Sequence, residues 1–273
     1  MSQNRETNKE VPLHKRFGFG KNWSNFIESH YSEERVKSSI NRFKEFTSLN
    51  DLNQVDFIDV GCGSGLHSLA ANRLGAQSVF SFDFDPNAVE ITQKLRSMEG
   101  NPLTWEITQG SILDEEFVSS LSKYDFVYSW GVLHHTGEVW RAIENTSALV
   151  KNHGYMYLAL YSLNVQTDPE YWLRTKQKYV KSSRFTKVIM EQKYLFRYVY
   201  GSSLRNFLKG RFRSENGRMR GMELMTDVRD WLGGWPMEFV LDEDVEKVVS
   251  QLGFKLKNVK KGEACTEFLF KKS

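Results

Sequence analysis

Two clusters in the sequence combine residue types and spacings that suit chemistry. In the first, Phe57-Ile58-Asp59-Val60-Gly61-Cys62-Gly63-Ser64-Gly65, an apolar run enters a glycine-rich turn, and an apolar helix through Leu66, Leu69, Ala70 and Leu74 follows. Glycines let the backbone turn sharply and approach a ligand closely, where a helix N-terminus offers free N–H groups. Asp83 ends the next apolar run about 20 residues on, the spacing at which an acidic side chain accepts hydrogen bonds from ribose hydroxyls. Its alternative role is a helix N-terminal charge ahead of Pro86, for which Asp85 is better placed. The second cluster is Ser129-Trp130-Gly131-Val132-Leu133-His134-His135. Imidazole titrates near neutral pH, so His134 and His135 are the candidate proton acceptors, and adjacent side chains in an extended turn face opposite sides.

These residues need elements to hold them. Val55 to Val60, Ser78 to Phe82, Leu103 to Ile107, Asp125 to Ser129 and Gly154 to Tyr161 read as short strands separated by helix-length segments. Such alternation predicts an α/β fold with a parallel, doubly wound, Rossmann-like sheet. Pro86 opens one helix, Gly75 closes another, and Gly154 follows a helix over 138–151. Asn22 to Ser48 has helical spacing through Trp23, Phe26, Ile27, Val36, Ile40, Phe43 and Phe46. A final helix, Asp242 to Leu252, precedes a hairpin of Phe254 to Val259 and Cys265 to Phe270, which completes seven strands. The expected parts are a lead-in over 1–54, a core over 55–161, a helical insertion over 162–240 after the fifth strand, and a closing helix and hairpin over 241–273.

A dinucleotide fingerprint places a third glycine at the sixth position, where this chain has Leu66, so the glycines argue against NAD. The Asp59-to-Gly65 turn, Asp83, and Ser129 to His135 resemble the class I S-adenosylmethionine-dependent methyltransferases, and within them the small-molecule branch that includes ubiquinone-biosynthesis enzymes. The resemblance covers about Val55 to Tyr161 and the C-terminal hairpin. It implies S-adenosylmethionine as cofactor. Asp59, Gly61, Cys62, Gly63 and Gly65 would hold its amino acid part, Asp83 its ribose, and Phe84 would flank the adenine. The family often has an aspartate after the third strand, where this chain has Gly110-Ser111-Ile112. Ser111, with Ile112, would substitute there, and Ser129 and Trp130 would border the cofactor from the fourth strand.

Methyl transfer from a sulfonium is an in-line displacement, so alignment, exclusion of water and one positioned base suffice. Position 135 matches a histidine common in the superfamily and usually architectural, which makes His134 the preferred base; both remain candidates for a structural role. Phe17-Gly18-Phe19-Gly20-Lys21-Asn22-Trp23 suits a pliable apolar lid in which Phe19 and Trp23 meet the acceptor. The same aromatics would equally serve to pack the lead-in helix. Arg229, Asp230, Trp231 and Trp235 fall in a turn-rich stretch, Asp-Trp-Leu-Gly-Gly-Trp-Pro, that reads as an acceptor-pocket wall rather than a long helix.

Charge is unevenly spread. Between Glu170 and Arg220 there are 14 Lys and Arg against three acids, a local charge of +11, while the rest of the chain carries −8. That segregation favours an anionic partner, with a solvated basic face as the alternative. Phe185, Val188, Ile189, Phe196 and Val199 recur at helical spacing among these cations, the pattern of a helix that lies on an anionic membrane surface or caps the sheet. A small-molecule or lipid-linked acceptor fits this charge; the alternative is a nucleic-acid or protein acceptor docked through the basic insertion, though the chain has no recognised RNA-binding module. Cys62 and Cys265 are too few for a disulfide framework and have no partner at metal-ligand spacing, which suits a cytoplasmic protein without a metal site. Residues 1–10 read as a polar leader, and no apolar run is long enough to span a bilayer.

Overall fold

The computed structural model describes residues 32–201, 224–262 and 264–273. Seven strands form one sheet in the order β3-β2-β1-β4-β5-β7-β6. They are β1 Asp56–Val60, β2 Ser78–Asp83, β3 Trp105–Gln109, β4 Tyr124–Trp130, β5 Val150–Tyr161, β6 Phe254–Lys261 and β7 Cys265–Lys272. The first five are mutually parallel, and β7 runs antiparallel to both β5 and β6. This is the doubly wound sheet with a C-terminal hairpin that the sequence predicts.

Alternation along the strands splits the core in two, because successive side chains leave opposite faces. Phe57, Phe126 and Tyr128 join Val36, Phe43 and Phe46 of helix α1, Glu33–Thr47, and Leu69 of α2, Leu66–Arg73. Ile58, Val60 and Val127 pack instead on Val139 and Ile143 of α5, Val139–Ala148, and on Val245 and Val249 of α9, Asp242–Gln251. Each fully buried large side chain, such as Phe57 or Phe268, contributes about 1.5–3 kcal/mol of apolar burial. Helix α3, Pro86–Met98, starts as its sequence directs: the Asp85 carboxylate accepts the Asn87 N–H and Pro86 occupies the first turn. Helix α4, Glu115–Ser120, is capped likewise by Asp114.

Several boundaries differ from expectation. Strand β3 begins at Trp105, and Leu103 is 93% exposed outside it. The helix expected over 138–151 ends at Ala148, and β5 has already begun at Val150, where it pairs with Tyr124; Gly154 therefore lies inside a strand. The described lead-in helix starts at Glu33, with Ser32 as its cap, while Phe17 to Trp23 lies outside the described residues.

The insertion contributes α6 Pro169–Lys181, α7 Arg184–Tyr194, a π-helical turn Leu195–Val199, and α8 Leu224–Gly233. The stretch read as turns from Asp230 is thus partly helical, with the turn chemistry spent at Gly234. Tyr161, Trp172, Tyr179, Leu195, Val228 and Leu232 form a third cluster that seats these helices beyond the carboxyl end of β5.

Candidate functional site

Strand order reverses between β1 and β4, which run side by side while their crossovers go to opposite faces. Loops at the carboxyl ends of such strands border a crevice. The glycine turn after β1 and the histidine loop after β4 are therefore neighbours. They touch closely: a Cβ on Gly61 would lie 2.3 Å from Cγ1 of Val132, and Gly61 has φ +78°. Gly65, at φ +76°, begins α2, and a Cβ there would lie 2.8 Å from Cγ2 of Thr92. Only glycine meets both the conformation and the clearance at these two positions.

Asp83 closes β2 beside this turn. Its Oδ2 accepts the Gly63 N–H at 3.0 Å and its Oδ1 accepts the Asp85 N–H at 2.8 Å. A carboxylate has about four acceptor directions, so each oxygen retains capacity for a ligand hydroxyl. Burial raises the Asp83 carboxyl to about 6, against the lowering effect of those backbone N–H groups. Phe84 is half-buried next to it, and its carbonyl accepts from Nε2 of Gln109 at 3.2 Å, which ties the loops after β2 and β3 together. A ribose-sized polyol beside Asp83, with an aromatic flank, fits this donor and acceptor set.

Five of the predicted cofactor residues, Asp59, Cys62, Ser111, Ile112 and Ser129, are buried. Asp59 is 2% exposed and points into the body, where Oδ2 accepts the Ser68 hydroxyl at 2.6 Å. Ser68 Oγ in turn accepts from Ser81 at 2.8 Å, and Ser81 accepts from the Trp105 indole at 2.9 Å. This buried chain braces α2 against β2 and β3 from beneath the turn. Burial raises Asp59 to about 7, opposed by the Ser68 hydroxyl and reinforced by Asp83. Ser129 is fully buried and donates to the Val60 carbonyl at 3.0 Å, joining β4 to β1. Ser111 is buried and caps the Leu113 N–H at 3.1 Å, and Ile112 belongs to the core. Cys62 is also buried, 3.4 Å from the Thr92 hydroxyl, and Trp130 is half-buried with its ring 6.4 Å from that of His67.

Beyond Val132 the chain makes one 3₁₀ turn, Leu133–His135, and the two histidines take different roles. His134 is fully buried, and its ring lies on Tyr161 with centroids 3.9 Å apart. Its Nδ1 accepts the Tyr161 N–H at 3.3 Å, so the neutral ring carries its hydrogen on Nε2. Burial, with His135 and Lys176 nearby, holds its pKa well below the ordinary imidazole value. In this arrangement the neutral His134 ring offers Nε2 as a donor, its Nδ1 lone pair being taken by the Tyr161 N–H. His135 is half-buried, and its Nδ1 stands 2.7 Å from the Pro236 carbonyl, an obligate acceptor. That contact puts the hydrogen on Nδ1 and the basic lone pair on Nε2.

The insertion residues divide similarly. Trp231 packs edge-on to Tyr161 at 5.6 Å and to Trp172 at 5.0 Å, half-buried rather than exposed, and Trp235 is half-buried as well. Asp230 is half-buried near Lys176, whose charge it favours. Arg229, expected in the acceptor-pocket wall, pairs with Glu191 at 3.4 Å. Phe19 and Trp23 lie outside the described residues. Lys176 is the residue the sequence concealed. It is fully buried, its ammonium bonds the Trp231 carbonyl, and it lies 4.5 Å from the Trp231 ring centroid. In the sequence it counted as one more cation; the signal was its place on α6 between Trp172 and Tyr179, a buried stripe at helical spacing.

Residues 58–156 match the family model described as a methyltransferase domain. A ubiquinone biosynthesis O-methyltransferase of Pelagibacter ubique is 26% identical over 135 residues, 50% of this chain and 52% of that protein. A ribosomal protein methyltransferase of Cyanothece sp. is 45% identical over 60 residues, 22% of this chain and 20% of that protein. The chain thus spans about half the length, or less, of the curated relatives it matches. Among solved structures, magnesium protoporphyrin IX methyltransferase from Synechocystis with bound SAH aligns at TM-score 0.54 and 14% identity, covering 93% of this chain and 94% of that one. Residues 58–156 thus resemble a methyltransferase domain, and the seven-stranded sheet shares the fold of a solved methyltransferase that binds SAH.

Proposed function

We propose that this protein transfers a methyl group from S-adenosylmethionine to a hydroxyl or amine of a small, anionic or lipid-linked acceptor. The observation that carries the reading is the contact of the glycine turn with the loop after β4, which sets Asp83 and the two histidines at one sheet edge. When bound, the cofactor supplies an electrophilic methyl on a sulfonium. Gly61, Gly63 and Gly65 would admit it closely, Asp83 would accept from its ribose hydroxyls, and Phe84 would flank its base. His135, with its lone pair on Nε2, is the residue suited to take the proton from the acceptor. Asp59, Ser111 and Ser129 would act by holding the loops in place.

The acceptor class rests on charge and on exposed apolar surface. Helix α7 presents Phe185 at 77% exposure and Val188 at 51%, with Lys187 between them. An amphipathic basic helix of this kind suits peripheral contact with an anionic bilayer, where a lipid-linked acceptor would be met. Among the described residues, no helix is long and apolar enough to cross a membrane.

The deciding experiment is calorimetric titration with S-adenosylmethionine and S-adenosylhomocysteine, alongside Asp83→Ala and Gly63→Arg. Micromolar binding lost in both variants supports the reading; absence of binding by the folded protein overturns it. Cosedimentation with anionic rather than neutral vesicles, reduced by Phe185→Ser with Val188→Ser, tests the lipid component. Strong, steeply salt-dependent binding to RNA, with no vesicle binding, would favour a nucleic-acid acceptor instead.

A further inference from the structure

Residues 236–238 leave the insertion and grip the loop after β4 at three points. The Pro236 carbonyl accepts from Nδ1 of His135 at 2.7 Å, the Glu238 N–H donates to the His134 carbonyl at 2.8 Å, and the Glu238 carboxylate accepts the Val139 N–H at 3.0 Å. The Gly137 N–H reinforces the same carboxylate. Glu238 stands where a helix cap is otherwise missing: α5 begins at Val139, and its flanking residue Glu138 makes no side-chain cap bond. The first N–H groups of a helix lack intrahelical partners and form the positive end of its dipole, so a carboxylate from a distant segment is held there. Pro236 has no N–H of its own to fix it, and its carbonyl takes its place from its neighbours in the chain. Met237 is buried, and Glu238 after it is bonded through both backbone and side chain.

We infer that Glu238 is a positioning residue for His135: by fixing the Pro236 carbonyl against the loop, it holds the hydrogen of the neutral ring on Nδ1 and leaves Nε2 as the basic nitrogen. This deepens the methyltransferase reading and rests on it for the use of that nitrogen as proton acceptor. A neutral imidazole without such a partner exchanges its hydrogen between the two nitrogens, and the form with hydrogen on Nε2 has no lone pair there to take a proton. The segment that sets the tautomer is the end of the insertion, so the loop after β4 is completed only when the insertion folds onto it. Burial, opposed by the Val139 and Gly137 N–H groups and reinforced by Glu138, raises the Glu238 carboxyl to about 6. It is ionised at neutral pH, where its bonds to α5 are charge-assisted.

The test is nitrogen NMR of the full chain carrying 15N-labelled histidine, at about pH 9, where imidazoles are neutral. Protonated and unprotonated ring nitrogens differ widely in shift, so the spectrum reads the tautomer of each histidine, and His135→Asn assigns the signal in question. Wild type is expected to show hydrogen on Nδ1 for His135 and on Nε2 for His134. Glu238→Ala, and the milder Glu238→Asp whose carboxylate is one carbon short, should convert His135 to a mixture of tautomers while His134 keeps its form. Glu238→Gln retains an acceptor for the Val139 N–H and should keep the wild-type signature. A carboxylate that merely stabilised α5 would change the melting temperature and leave the tautomer alone. The proposal is overturned if wild-type His135 carries its hydrogen on Nε2, if it keeps Nδ1–H in both the Ala and Asp variants, or if the two histidines change together. Calorimetry with S-adenosylhomocysteine on the same samples keeps the two readings apart. The expected tautomers in a folded protein that does not bind it would strike the methyltransferase reading and leave the role of Glu238 standing.

Discussion

Val132 packs against Gly61 so closely that a single added carbon on the glycine would sit 2.3 Å from its Cγ1. The contact joins the turn after β1 to the loop that carries His134 and His135. The proposed cofactor turn and the loop of the two histidines are therefore held by one interface, and a disturbance of either side is transmitted to the other.

Gly61→Ala tests this directly. It combines a left-handed backbone with a steric clash, and is expected to cost roughly 1–3 kcal/mol of stability and to weaken S-adenosylhomocysteine binding at least tenfold. Adding Val132→Ala relieves the clash but not the backbone strain, so the double variant should recover part of the loss. Calorimetry and thermal melts of the two variants separate the contributions.

Burial sets the pH response of the cofactor turn. Asp59 is raised to about 7 and Asp83 to about 6, so between about pH 4 and these values the folded protein retains protons that the unfolded chain releases. Their contribution to stability is present at the acidic end of that window and lost as pH rises through it. Asp59→Asn should flatten this decline and raise the melting temperature of the ligand-free protein at pH 8. Cofactor binding should run the other way, because an ionised Asp83 is the better acceptor: affinity falls as pH drops through about 6, and less so in Asp83→Asn.

For His134 the expectation is silence. Desolvation keeps its imidazole neutral, so its ring resonances in a proton–carbon NMR titration should not move between pH 6.5 and 8. A midpoint in that range assigned to His134 would restore it as a candidate base. His135→Ala is expected to lower turnover about 10²–10⁴-fold without changing cofactor affinity.

Lys176 should leave its mark on stability at alkaline pH. Its ammonium is lowered to about 7 in the folded protein, so above that value the unfolded chain binds a proton the folded one does not. Stability due to this group is then greatest above the ordinary lysine range and is lost as pH falls through about 7. Chemical denaturation from pH 7 to 10 should show wild-type stability rising and Lys176→Met nearly flat.

Much of this was legible in one dimension. Alternating apolar runs predicted the parallel strands because both sheet faces must be covered, and Asp85-Pro86 predicted the start of α3 because a cap and a fixed φ act locally. The glycines and Asp83 announced a nucleotide-like site for the same reason: turn geometry and spacing along adjacent strands are local properties. The boundary of β5 was not local. Val150 extends through pairing with Tyr124, a partner 26 residues away, and that ladder outweighed the helical pattern ending at Ala148.

The different partners of like residues also waited for the tertiary structure. Asp59 and Asp83 are similar carboxylates at the ends of neighbouring strands, yet one is turned inward to Ser68 and the other meets the turn at Gly63. His134 and His135 are chemically identical and adjacent, and only the Tyr161 N–H and the Pro236 carbonyl give them opposite tautomers. The sequence by itself determined the order of elements, the glycine turn and the uneven charge, because these depend on composition and short-range spacing. Which nitrogens carry protons, and which charges are removed from water, was decided by packing between segments up to about 100 residues apart, since desolvation and hydrogen-bond partners exist only once those segments meet.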